Sequence, residues 1–107
     1  MTYIIILMTA SNKQEATNIV TTLLEQRLIA CANIIESVSS FFWWKEKIKE
    51  EKEVIVIMKS HQNHFSALEK KIQECHSYNV PEILAIPITN GSQSYLNWMK
   101  EYLEPWK

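Results

Sequence analysis

"IACANIIESVSSFFWWKEKIKEEKEVIVIMK", Ile29 to Lys59, decides the fold. Its first part, Ile29 to Trp44, is rich in β-branched and aromatic residues and contains no helix breaker. Its return, Ile48 to Lys59, is charged near the turn and apolar at the far end. A turn near Lys45–Lys47 joins the two, so the stretch reads as one long antiparallel hairpin. Strands of about 15 residues reach roughly 50 Å at ~3.3 Å per residue. A covering helix of similar residue count reaches about 22 Å at ~1.5 Å per residue. The hairpin must therefore overhang its own domain or bend away. Its tip carries Phe41, Phe42, Trp43 and Trp44. Adjacent large aromatics on an open edge form an adhesive patch and an aggregation hazard. Self-association that pairs the edges is the economical solution; a bulge that folds the tip back onto its own domain is the alternative. The expectation is a homo-oligomer, with the charged half of the return facing solvent or another chain.

Working outward, "YIIILMT", Tyr3 to Thr9, is a continuous apolar run with β-branched residues, the pattern of a buried central strand. "SNKQ" offers a capping box with Ser11 as cap and Gln14 three residues on. Ala16, Ile19, Val20, Leu23, Leu24 and Leu28 follow at helical spacing. On the other side of the hairpin, Ser60 is the expected cap of a second helix with Phe65, Leu68, Ile72 and Cys75 on one face. "SYNVP" ends that helix, because Pro81 forces Val80 into an extended conformation. "EILAIPI" is a fourth strand, with Pro87 marking an edge or an end. "GSQSYLNWMKEYL" is a closing helix with Tyr95, Met99 and Tyr102 on one side. The order β-α-β-β-α-β-α predicts an α+β ferredoxin-like split β-α-β sandwich, βαββαβ plus a C-terminal helix. It forms a single domain over 1–107, with no repeat or linker.

Composition narrows function mainly by exclusion. Eleven Lys+Arg against twelve Asp+Glu give a net charge of −1, and Arg27 is the sole arginine. Nucleic acid is therefore not the expected partner. The single glycine, Gly91, removes glycine-rich phosphate loops and dinucleotide fingerprints. "MTYIIILMT" lacks the basic flank and cleavage site of a signal peptide and is too short to cross a bilayer. The expectation is a cytoplasmic protein with no membrane partner, whose Cys31 and Cys75 are reduced thiols.

Several segments together resemble the CutA family, the divalent-cation tolerance proteins. "RLIACANII" is similar to the family's segment after the first helix, "SFFWWKEKIKEEKEV" to its long-hairpin motif, "HSYNVPEI" to its His-Pro-Tyr…Pro-Glu signature, and "YLNWM" to its terminal helix. The resemblance implies a homotrimer of ferredoxin-like subunits with long strands pairing across subunits. Ser77 stands where the family usually has proline, Phe42 where tyrosine is common, Glu46 for a glycine at the hairpin turn, and Lys49 for a frequent glutamate. Some members carry residues proposed as copper ligands at the positions of Met8, Cys75 and His76, so the resemblance implies those three as metal ligands here. It implies no enzyme activity.

The residues leave alternatives open. Thioether, thiolate and imidazole form a soft set suited to Cu(I). Cys75 and His76 can share an ion only if the helix ends between them, because neighbours on a helix point about 100° apart. Met8 and Cys75 read equally as core packing. His61 and His64 stand at a chelating spacing, or on a solvated face. Cys31 is a second soft site, an inert core thiol, or a nucleophile if His76 is near enough to be its base. Trp44, Lys59, Tyr78 and Glu82 either line a cleft between subunits or fill the interface. The reading favoured by the sequence is a homotrimer binding copper or another transition metal ion. The alternative is a small-ligand signalling trimer akin to the nitrogen-regulatory PII proteins, with Lys45 and Lys59 lining the cleft. No paired carboxylates or Ser-His-Asp pattern supports an enzyme.

Overall fold

The computed structural model describes residues 2–105. Met1, Trp106 and Lys107, the ends of the expected 1–107 domain, lie outside the described residues. The strands are β1 (Tyr3–Ala10), β2 (Cys31–Trp44), β3 (Lys47–His61) and β4 (Ile83–Pro87). The helices are α1 (Lys13–Glu25), α2 (Phe65–Cys75) and α3 (Gln93–Tyr102). The sheet order is β2-β3-β1-β4 and every pairing is antiparallel, the split β-α-β arrangement that the element order predicts.

Alternation along β1 divides the sheet into two faces. Ile4, Ile6, Met8 and Ala10 are buried, and the residues between them are only half-buried. Directly paired residues share a face. Ile6 pairs with Met58 and Ala85, and Met8 with Val56 and Ile83. Ala16, Ile19, Val20 and Leu23 of α1 and Leu68 and Ile72 of α2 cover this face and close the core. The other face carries Ile5, Leu7, Ile55 and Ile57, all half-buried, with Ile35, Leu84 and Ile86 at 48%, 56% and 47% exposure. Among the described residues, the helix side chains of the core pack on the other face and, at the foot of this one, against Tyr3.

The hairpin overhangs as the length argument requires. β1 stops at Ala10, opposite Val54, while β2 and β3 run on together to Trp44 and Lys47. The longest dimension is 44 Å. One extra residue in β2 makes a bulge between Ile35 and Val38, with Ser37 left-handed at φ 60°. The bulge does not fold the tip back: Phe41, Trp43 and Ile48 remain 67%, 72% and 67% exposed. Lys45 and Glu46 turn the chain with φ of 50° and 66°, the doubly left-handed geometry of a tight hairpin turn. Both are L-residues with a Cβ, so the turn is strained.

Four local expectations are corrected. Asn12, not Ser11, caps α1: its side chain accepts the Glu15 amide at 2.8 Å, and Glu15 reaches back to the Ser11 amide and hydroxyl. Asn and Ser are equally good caps, so the choice fell to the residue with Glu at the third helical position. Ser60 caps nothing. It lies in β3 and donates to the Leu28 carbonyl at 2.6 Å, while a short 3-10 turn, Gln62–His64, precedes α2. Cys75 is exposed, unlike Leu68 and Ile72 on its nominal face, because it is the last residue of α2. In α3, Met99 is buried with Leu103 and Ala30, whereas Tyr95, Trp98 and Tyr102 form an outer row of rings 5.5 and 5.6 Å apart.

Candidate functional site

The end of α2 is joined to β1, α1 and the root of the hairpin by one chain of polar contacts. His76 is buried, with Nε2 2.8 Å from the Thr9 carbonyl and Nδ1 3.1 Å from the Tyr78 amide. A carbonyl only accepts and an amide only donates. Nε2 therefore carries the proton and donates to Thr9, and Nδ1 accepts. Glu15 Oε2 accepts the Ser77 amide at 2.7 Å and lies 3.9 Å from His76 Nδ1. Burial alone would raise the Glu15 carboxyl; hydrogen bonds from Ser77 and Ser11 outweigh it and lower it from 4.5 to about 2. Tyr78 donates its hydroxyl to Glu53 Oε2 at 2.7 Å, just beyond the end of β1. Burial and then the Glu53 carboxylate push the Tyr78 phenol up, so it stays protonated.

Of the three residues that the family resemblance marks as metal ligands, Cys75 alone is exposed. Met8 is fully enclosed in the core, one residue from the carbonyl that anchors His76. Both His76 nitrogens are engaged. Among the described residues, no group of three His, Cys, Asp or Glu side chains is placed to hold a metal ion. A copper site here thus starts from one open thiol and needs His76 Nδ1 to release the Tyr78 amide.

Cys31 is half-buried and pairs with Lys59, which also pairs with Ile5. His76 sits by Thr9, four residues further along β1 or about 13 Å. The fold therefore does not supply His76 as a base for Cys31. The partner of that thiol is the Tyr95 hydroxyl at 3.4 Å. His61 and His64 do not form a solvated face: both are buried, and His64 Nε2 is 2.6 Å from the Glu104 carbonyl.

The cleft candidates are scattered within one chain. Trp44 is at the tip, with the Lys45 and Lys49 ammonium groups each 5.9 Å from its ring. Lys59 is at the opposite end of β3, Tyr78 is at the hairpin root, and Glu82 is exposed before β4. An open groove of about 400 Å³ lies elsewhere, between Ile4, Phe65, Ala85 and Pro87. The sequence reading missed Glu15 and Glu53. The Glu15 capping pattern was legible, but its bond to Ser77 is tertiary and has no local signature.

These features define a ferredoxin-like domain with an overhanging hairpin and an uncovered apolar sheet. Residues 4–102 match the family described as CutA1 divalent ion tolerance protein, and the chain belongs to that family. It is 34% identical over 97 residues to the divalent-cation tolerance protein CutA of Thermus thermophilus, covering 91% of this chain and 94% of that protein. Against the chloroplastic protein CutA of Arabidopsis thaliana it is 32% identical over 97 residues, covering 91% of this chain and 53% of that one. The chain thus spans about half the length of that plant relative. The crystal structure of CutA1 from Oryza sativa superimposes with a TM-score of 0.94 at 30% identity, covering 97% of this chain and 95% of that one. No helix among the described residues is long and apolar enough to cross a membrane.

Proposed function

We propose that this protein acts in divalent-cation tolerance as a cytoplasmic homotrimer that takes up copper or a similar transition metal ion. The observation that carries the assembly is the apolar outer face of the sheet, which Phe42 and Trp44 extend along the same side to the hairpin tip. On that side Ile35, Leu84, Ile86, Phe42 and Trp44 stay in water in one chain, and Phe41, Trp43 and Ile48 are exposed on the opposite side of the overhang. A second copy supplies both the apolar cover and the strand edges that β2 and β4 lack. Three as the number follows the family resemblance.

For the metal, the support is Cys75 at the C-terminus of α2, where the helix dipole favours a cation. Thiolate and imidazole from successive residues are a ligand pair that suits copper. Cys75 is the first ligand, His76 Nδ1 the second, and Met8 remains in the core. Buffering of this kind needs no catalysis.

Light scattering tests the assembly, with a mass three times that of the chain expected. An anaerobic Cu(I) competition titration tests the metal. About one ion per chain should bind, and Cys75→Ser should abolish binding. Unchanged binding in that variant would remove the α2 terminus from consideration.

A further inference from the structure

The uncovered sheet face is aliphatic along most of its length but not at its foot. There β2, β3 and α3 bring Asn33, Lys59, Cys31 and Tyr95 together. Lys59 Nζ donates to Asn33 Oδ1 at 3.1 Å. That bond occupies the amide oxygen and leaves the Asn33 NH2 as a donor directed elsewhere. The ammonium keeps two further hydrogens. The Tyr95 hydroxyl is shared with Cys31 at 3.4 Å. The cluster is thus dominated by donors and holds one full positive charge.

Its surroundings make that charge conspicuous. Lys59 is half-buried and follows Ile55 and Ile57 on the same face, with Ile5 as its β1 partner. Among the described residues no carboxylate forms an ion pair with it. A cation on an apolar face becomes costly once that face is covered, unless an anion meets it there. The covering step rests on the self-association proposed above; the donor cluster exists in the single chain.

We propose that Lys59, Asn33 and Tyr95 form a binding site for a small oxyanion, a phosphate or a carboxylate, at the foot of the open sheet. The ammonium supplies the charge, and the amide and hydroxyl give direction to the anion's oxygens. The site is separate from the α2 terminus and uses neither Cys75 nor His76; it adjoins Cys31, the thiol that shares the Tyr95 hydroxyl.

The test is isothermal titration calorimetry of the full chain with inorganic phosphate and, separately, with malonate, both at constant ionic strength against chloride. Saturable binding of at least one is expected, and the preferred anion identifies its source as phosphate or carboxylate. Lys59→Gln should weaken it about tenfold or more. Asn33→Asp, at an exposed position that leaves the core untouched, should do the same by placing a negative charge beside the ammonium. Light scattering on each sample separates the two proposals. A trimer that binds neither anion, or binds them equally in all three proteins, overturns the site and leaves the assembly standing. A single chain whose anion binding is lost in both variants overturns the assembly and keeps the site. If the parent chain binds neither anion and Lys59→Gln dissociates the trimer, Lys59 pairs with a carboxylate of the neighbouring copy and the site is overturned.

Discussion

On β1, Ile4, Ile6 and Met8 are sealed beneath two helices, while Ile5 and Leu7, one residue away, stay half-exposed. Both faces of this sheet are apolar, but one chain covers the first with two helices and the second only at its foot, where α3 packs against Tyr3. The covered face makes the fold and the uncovered face asks for a neighbour. Substitutions on the two should therefore fail differently. A cavity on the covered face should lower stability whatever the state of assembly, and a charge on the uncovered face should lower assembly and spare the fold.

The largest effect is expected for Ile6→Ala. Its side chain is fully buried between Met58 and Ala85, so removal should cost about 2 to 5 kcal/mol in denaturant unfolding. Next comes Leu84→Glu on the uncovered face, where a carboxylate would be buried unpaired on association. Its mass by light scattering should drop to that of one chain while far-ultraviolet circular dichroism stays unchanged. An assembled Leu84→Glu protein would break the comparison.

Glu15 gives an effect that depends on pH. Its folded pKa, about 2, lies below its ordinary value of 4.5. The carboxylate's contribution is complete above pH 4.5 and fades as pH falls towards 2. Glu15→Gln should therefore lose on the order of 2 kcal/mol at pH 7 and much less near pH 2. Parallel pH profiles for the two proteins would contradict the network at the α2 terminus. The smallest effect belongs to the hairpin turn. Glu46→Gly removes a Cβ from a left-handed residue and should stabilise the hairpin by about 1 kcal/mol, read as a rise in Tm.

The hairpin, the order of the elements and the place of β1 as a central strand were legible in the sequence because each rests on length and local pattern, which neighbours cannot change. The open half of β1 was not. A run apolar on both faces looks the same whether its second cover is a helix or another copy of the chain. The face of α3 was misassigned by one position: Met99 and Trp98 are both apolar, so helical spacing alone could not say which turned inward. Cys75 fitted its helical face by period, yet the helix ends there. At the candidate site, resemblance indicated His76 and Tyr78 as positions, but their partners Thr9 and Glu53 come from distant strands and left no local trace.

The bulge at Ser37 has a consequence for how such a protein can change. Before it, odd-numbered residues of β2 pair with the open-face residues of β3; after it, even-numbered ones do, as Val38 pairs with Glu53 and Trp44 with Lys47. Deleting one codon there would restore the original parity and turn the tip over. Phe41 and Trp43 would exchange sides with Phe42 and Trp44, and the core would keep every residue it has. A lineage could thus present a different aromatic surface to its neighbour without a single amino-acid replacement.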